Sequence, residues 1–243
     1  MIGIDGCKYG WCVVYDTPEG PQVLIISHIS ELKSISGKSE LICIDIPIGL
    51  PDASHSRRVE ELARKVLPSK SSSFFGVPCR DAAYANDYQE ANTINKAILG
   101  KGLSIQSWHI CSKIKEIDSW LSNANQHNAN VKEAHPELCF HFLQKEDERL
   151  LSKKTKEGRV QRLKILSSWH EGLDKLYNDA MTKYPRKDVA ADDILDALCM
   201  WCVANLSQSY QLESISALQK DKMGLSMDMH FVDPYRKFYS FQL

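Results

Sequence analysis

Leu41-Ile-Cys-Ile-Asp-Ile-Pro47 constrains this chain more than any other stretch. Five apolar residues surround a single carboxylate, Asp45, and a proline closes the run. A near-continuous apolar segment rich in isoleucine reads as a central strand buried on both faces, as parallel strands are. Pro47 cannot donate to a ladder, so the strand ends close to it. A lone buried charge is costly unless it is paired or bound to a metal. Asp45 is therefore expected at the carboxyl end of the strand, where open α/β sheets carry their sites. The competing role for Asp45 is to cap the Pro47-Ile-Gly49 turn.

The preceding chain supplies partners for that strand. Ile2 to Asp5, Trp11 to Tyr15 and Val23 to Ile26 are short apolar runs. The glycine-bounded turn Gly6–Gly10 and the turn Thr17–Pro21 separate them, which predicts an antiparallel meander. Ser30 to Ile35 reads as a short helix. The order is then β-β-β-α-β, with the Asp45 strand parallel to the first. Helices are expected from Ser54 or Ser56 to Leu67, from Asp81 to Leu99 and from Ser107 to Leu121. Residues 52–127 thus read as a helical insertion within a single domain, 1–243. Val131 to Ala134 is a brief strand, and Pro136 opens a helix at its favoured first position. Lys145 to Lys156 is densely charged, with Lys153–Lys156 in a loop; Arg159 to Trp169 is a helix, and Ala190 to Leu206 a strongly apolar helix. Phe231 to Leu243 is either a last strand or a docking tail. The fold class is α/β: a mixed five-stranded sheet flanked by helices, with a helical insertion.

Thirty Lys and Arg against 31 Asp and Glu leave the chain near neutral. That argues against an indiscriminate nucleic-acid coat and leaves room for a local basic groove. No apolar run is long enough to span a bilayer, so no membrane role is expected. The N-terminus enters a strand pattern at once, without a basic leader, and a cytoplasmic location is expected. Eight scattered cysteines are then reduced thiols. Cys199-Met-Trp-Cys202 lies in a helical apolar pattern without a second pair, which argues against a redox or zinc role. Nothing distinguishes a monomer from a homodimer.

The acids carry the chemistry. Asp5 and Asp45 end strands that can lie side by side, about 4.8 Å apart. Asp193 and Asp196 share one face of an otherwise apolar helix. Asp192 and Asp193 also suit a helix N-terminus, whereas Asp196 lies a turn deeper. Four converging acids with no Lys or Arg close by would repel one another, and a divalent cation relieves this. Oxygen donors suit Mg2+ or Mn2+ better than zinc.

Gly3-Ile-Asp-Gly-Cys-Lys-Tyr-Gly-Trp11, Ile44-Asp-Ile-Pro-Ile-Gly-Leu-Pro51, Gly102-Leu-Ser-Ile-Gln106, Lys113-Ile-Lys-Glu-Ile-Asp118, Glu133-Ala-His-Pro-Glu137 and Asp192-Asp-Ile-Leu-Asp-Ala197 resemble the motif series of one microbial family. It is catalogued as domain of unknown function 429 and held to be an RNase H-like nuclease. The resemblance implies an RNase H-like mixed sheet, with a three-stranded meander and then parallel strands after a crossover. It implies Asp5, Asp45, Asp193 and Asp196 as ligands of a metal pair that activates water, with Asp5 bridging. The spacing Asp193-x-x-Asp196 is also similar to the last-helix acids of Holliday-junction resolvases. Glu133-Ala-His135 is particular to the family. Glu133 is a candidate further ligand and His135 a candidate proton-transfer group, set against an ion-paired Glu133 and a His135 that caps the Pro136 helix.

Two basic clusters could hold phosphates: Arg57, Arg58, Arg64, Lys65 and Arg80, and Lys153, Lys154, Lys156, Arg159 and Arg162. Lys8 joins them as a substrate-binding candidate, and Phe74 and Phe75 could stack on bases. The alternative for each charged residue is a solvated helix face. The expected function is divalent-metal-dependent hydrolysis of DNA or RNA. Phosphotransfer or hydrolysis on a small phosphorylated molecule, and a non-catalytic binding module, are the competing readings.

Overall fold

The computed structural model describes residues 1–35, 40–122, 130–146 and 148–237. Strands β1 (Ile2–Gly6), β2 (Trp11–Thr17) and β3 (Gly20–Ile26) are followed by a 3-10 turn, Ile29–Ser34, and by β4 (Leu41–Asp45). Helices α1 (Val59–Val66), α2 (Arg80–Ala83), α3 (Tyr88–Leu99), α4 (Ile105–His109) and α5 (Cys111–Ser122) come next. Strand β5 (Asn130–Glu133) leads to α6 (Pro136–Leu143), α7 (Lys156–Ser167), α8 (Leu173–Lys183) and α9 (Ala191–Leu206). The short strands β6 (Leu212–Ile215) and β7 (Met229–Val232) pair in a separate two-stranded sheet.

The chain divides into two compact units. One comprises Met1–Asp45, Asn128–Glu213 and His230–Gln242, and the other Ile46–His127 with Ser214–Met229. The first unit holds the mixed sheet, in the order β3-β2-β1-β4-β5. Strands β1, β2 and β3 form the expected antiparallel meander, and β4 runs parallel to both β1 and β5. This is the mixed five-stranded α/β sheet anticipated from the sequence.

Helix α9 is the main cover of this sheet, packing on β1, β4 and β2. Eleven of its 16 residues are buried, among them Trp201 and Met200. It lies so close to β1 that a Cβ on Gly3 would come within 1.9 Å of the Trp201 amide nitrogen. A glycine at position 3 is thus a condition for the helix to sit at that depth. Helices α6, α7 and α8 pack on α9 in turn. Helix α8 was not anticipated.

The helical segment of the second unit is more broken than its periodicity suggests. Asp87 interrupts the helix expected over 81–99: its carboxylate accepts the Glu90 amide at 2.9 Å and restarts the chain as α3. Ile110 divides the helix expected over 107–121 into α4 and α5. Within this unit Arg80 bridges Asp118 at 2.8 Å and also pairs with Asp221. Residues 229–232 form β7, and residues 238–243 of the expected C-terminal tail lie outside the described residues.

Candidate metal centre

In-register parallel pairing sets Asp5 directly beside Asp45 at the carboxyl ends of β1 and β4. Side chains two apart on a strand share a face, so Asp5 lies on the Gly3 face that α9 covers. From α9, Asp196 enters the same space. Asp5, Asp45 and Asp196 each offer a carboxylate oxygen within 4.8 Å of the other two. Asp5 and Asp196 are buried and Asp45 half-buried. Asp5 Oδ1 accepts the Gly6 amide at 2.7 Å. Asp196 Oδ2 accepts from the Lys153 ammonium, while Asp196 Oδ1 is buried and accepts no hydrogen bond.

Burial and mutual repulsion leave these groups reluctant to ionise. Burial first, then the charges of Asp45 and Asp196, hold the Asp5 carboxyl well above its ordinary range. Burial pushes Asp45 up to about 6, with Lys153 opposing and Glu137 adding to the rise. Asp196 is pushed up to about 7, again by burial first, with Lys153 opposing and Asp45 and Glu137 contributing. A buried carboxylate oxygen without a donor, beside two further carboxylates, is a costly arrangement for a fold to keep. It fits an oxygen-ligated divalent cation such as Mg2+ or Mn2+.

Beyond this geometry, a family model described as a protein of unknown function (DUF429) matches residues 3–217. The chain belongs to this family. No curated protein and no solved structure matches it.

The DUF429 match spans all three clustered acids and most of the residues singled out from the sequence, which the structure distributes unevenly. Asp193 lies outside the three-carboxylate group. Its Oδ2 accepts the Ala190 amide at 2.9 Å, so it caps the start of α9, though its charge still reaches Asp5. Glu133 is buried but in register with Ile44, one residue short of Asp45, and so on the opposite face of the sheet. The acid of that motif which acts on the cluster is Glu137, in the first turn of α6. It accepts from the fully buried Arg162 at 2.6 Å. His135 is the N-cap residue of α6, half-buried, with no side-chain capping bond.

The basic candidates separate more sharply. The Arg57 side chain is buried, bound to Glu60 and to the carbonyls of Ile48 and Gly49, so it is an internal brace and not a phosphate contact. Arg80 is likewise consumed by Asp118 and Asp221, and Phe74 is buried and unable to stack on a base. Arg58 is exposed and pairs with Glu61. Lys8 and Lys154 are exposed. Arg159 is half-buried and donates to the carbonyl of Lys154 at 2.8 Å.

The expectation that the acids converge without a cation is overturned by Lys153. Its ammonium binds Asp196, and its charge also acts on Asp5 and Asp45. Sequence reading assigned it to a basic loop, since nothing local links it to a helix that begins 38 residues later. All eight cysteines are buried and unbridged. The Cys199 and Cys202 thiols are pushed up by burial, the opposite of what a reactive CxxC needs.

Proposed function

We propose that this chain is a divalent-metal-dependent phosphodiesterase acting on nucleic acid, with Asp5, Asp45 and Asp196 as the ligands of Mg2+ or Mn2+. The observation that carries the reading is the unpartnered, buried Asp196 Oδ1 in a group of three carboxylates. When bound, such an ion lowers the pKa of its water toward neutrality and offsets charge on the phosphate. Asp5 and Asp45 are held rigidly for the task by neighbouring strands, and Asp196 by a buried helix. Asp193, bound to the helix start and half-buried, is a secondary acid near Asp5 and not a first ligand. Lys153 supplies positive charge toward an incoming phosphate. Lys8, Lys154 and Arg159 are further cations of this unit offered for phosphate contact, and they would contribute affinity without sequence preference.

One observation favours hydrolysis of a small phosphorylated molecule as a second reading. Arg57 and Arg80, two of the basic candidates, are spent on internal carboxylates and carbonyls. That leaves a shorter phosphate-binding surface than a long nucleic acid uses.

The test is an activity panel in Mg2+ and Mn2+. It covers single-stranded, duplex and branched DNA, RNA, RNA–DNA hybrid and small nucleotides, with Asp5→Asn and Asp45→Asn in parallel. Cleavage of a polynucleotide that both variants lose supports the first reading. Turnover of small nucleotides alone supports the second. Cleavage that persists in both variants removes the chemistry from this centre.

A further inference from the structure

Lys153 is not a wandering surface lysine. The loop that carries it is clamped by its main-chain atoms onto α7. Arg162 donates to the Leu151 carbonyl at 2.7 Å, Gln161 accepts the Leu151 amide at 2.8 Å, and Thr155 donates to the Ser152 carbonyl at 3.0 Å. Arg159 donates to the Lys154 carbonyl at 2.8 Å. A Cβ on Gly158 would fall 2.0 Å from the Ser152 carbonyl oxygen, so the loop backbone rests directly on the helix. Four hydrogen bonds and this close approach fix the backbone on either side of position 153, and the lysine side chain reaches the acids. Arg162 also holds Glu137, so one buried guanidinium ties the lysine loop to the acid next to the cluster.

The charges then count in a simple way. Three carboxylates and one ammonium leave a net of minus two. Glu137 is balanced by Arg162, and Asp193 is half-exposed and bonded to the Ala190 amide. One divalent ion neutralises the remainder, and a second would leave two positive charges in excess. We propose that Lys153 is a resident cation of this centre: it supplies the positive charge that a second ion of a metal pair would bring, and the chain takes one divalent ion. This rests on the metal reading of the three acids. It replaces the ion pair implied by the family resemblance with one ion and one ammonium. The ammonium does the electrostatic work of the missing ion at a fixed position, independent of metal supply.

Calorimetric titration of the full chain with Mn2+ tests this, on wild type, Lys153→Arg, Lys153→Met and Asp5→Asn, with folding followed by circular dichroism. Wild type and Lys153→Arg are expected to bind one equivalent. Lys153→Met is expected to bind the first ion at least about tenfold more tightly, because a like charge a few ångströms away is gone, and to gain a second, weaker equivalent. Two equivalents in wild type would overturn the inference while leaving the metal site intact, and that result does not depend on any variant folding. A single equivalent in folded Lys153→Met, whatever its affinity, would overturn it too. No binding by wild type, or undiminished binding by Asp5→Asn, would overturn the metal reading itself.

Discussion

Two buried clusters of acids among the described residues, each holding one cation, are resolved in opposite ways. In the second unit, Asp221 Oδ2 accepts from Arg80 and from the Leu50 amide, and its Oδ1 accepts from the amides of Met223 and Leu225. Asp118 accepts from Arg80 and from the Tyr84 hydroxyl at 2.9 Å. Every one of these four oxygens has a donor. In the first unit, three acids have one ammonium beside them, a fully buried oxygen of Asp196 has no donor, and all three carboxyls resist ionisation. The first arrangement holds a fold together. The second weakens it, and it is the arrangement proposed here to take a metal ion. Burial and acidity are common to both, so donor supply distinguishes a brace from a site.

The comparison breaks most visibly at Arg80. Removing it with Arg80→Ala leaves Asp118 and Asp221 buried and short of a partner, which is expected to cost about 3–5 kcal/mol in chemical denaturation. Calorimetry should find Mn2+ affinity in the folded fraction unchanged. Asp45→Asn is expected to do the reverse. Metal affinity falls by at least about 100-fold, since even outer-shell partners of a metal ligand are worth 10–100-fold. The metal-free protein gains on the order of 1 kcal/mol at neutral pH, because a repelling buried charge is removed.

Titration sharpens the contrast at a smaller scale. An unfolded aspartate ionises near pH 4, whereas Asp45 and Asp196 ionise at about 6 and about 7 in the fold. Between these values the native state binds more protons than the unfolded chain. Stability of the metal-free protein therefore falls as pH rises from about 4 to about 7. Metal displaces those protons, so Mn2+ affinity rises over the same window. Thermal melts with and without Mn2+ between pH 5 and pH 8 should diverge as pH increases. The smallest effect is expected at Arg58, whose pair with Glu61 is half-exposed on both sides. Arg58→Ala should leave the melting temperature unchanged within error, since exposed pairs contribute little.

Much of the sheet was legible because short apolar runs and turn residues each have a local cause. The meander follows from glycine- and proline-rich turns, and the parallel strand from the apolar run around Asp45. Asp5, Asp45 and Asp196 were readable as odd acids in apolar settings. Helix α8 left a usable signal that was passed over: Leu173, Leu176, Tyr177 and Ala180 follow helical spacing after Gly172, which sits at φ 85°. Asp87 followed by Glu90 was a readable restart of a helix. The role of Glu133 turned on strand register, and a four-residue strand does not write its register into its sequence. Lys153 was beyond local reasoning altogether, because its meaning depends on a loop held by α7 against acids 43 residues away in α9 and further off in β1 and β4.

The most direct test of the centre is anomalous diffraction at the manganese edge from crystals grown with Mn2+. The account predicts a peak about 2.1–2.2 Å from a carboxylate oxygen of each of Asp5, Asp45 and Asp196, a distance ordinary for such ions, with Asp196 Oδ1 among the donors. A well-ordered structure with full-length density and no peak between these three side chains, or with manganese bound only elsewhere, would contradict it.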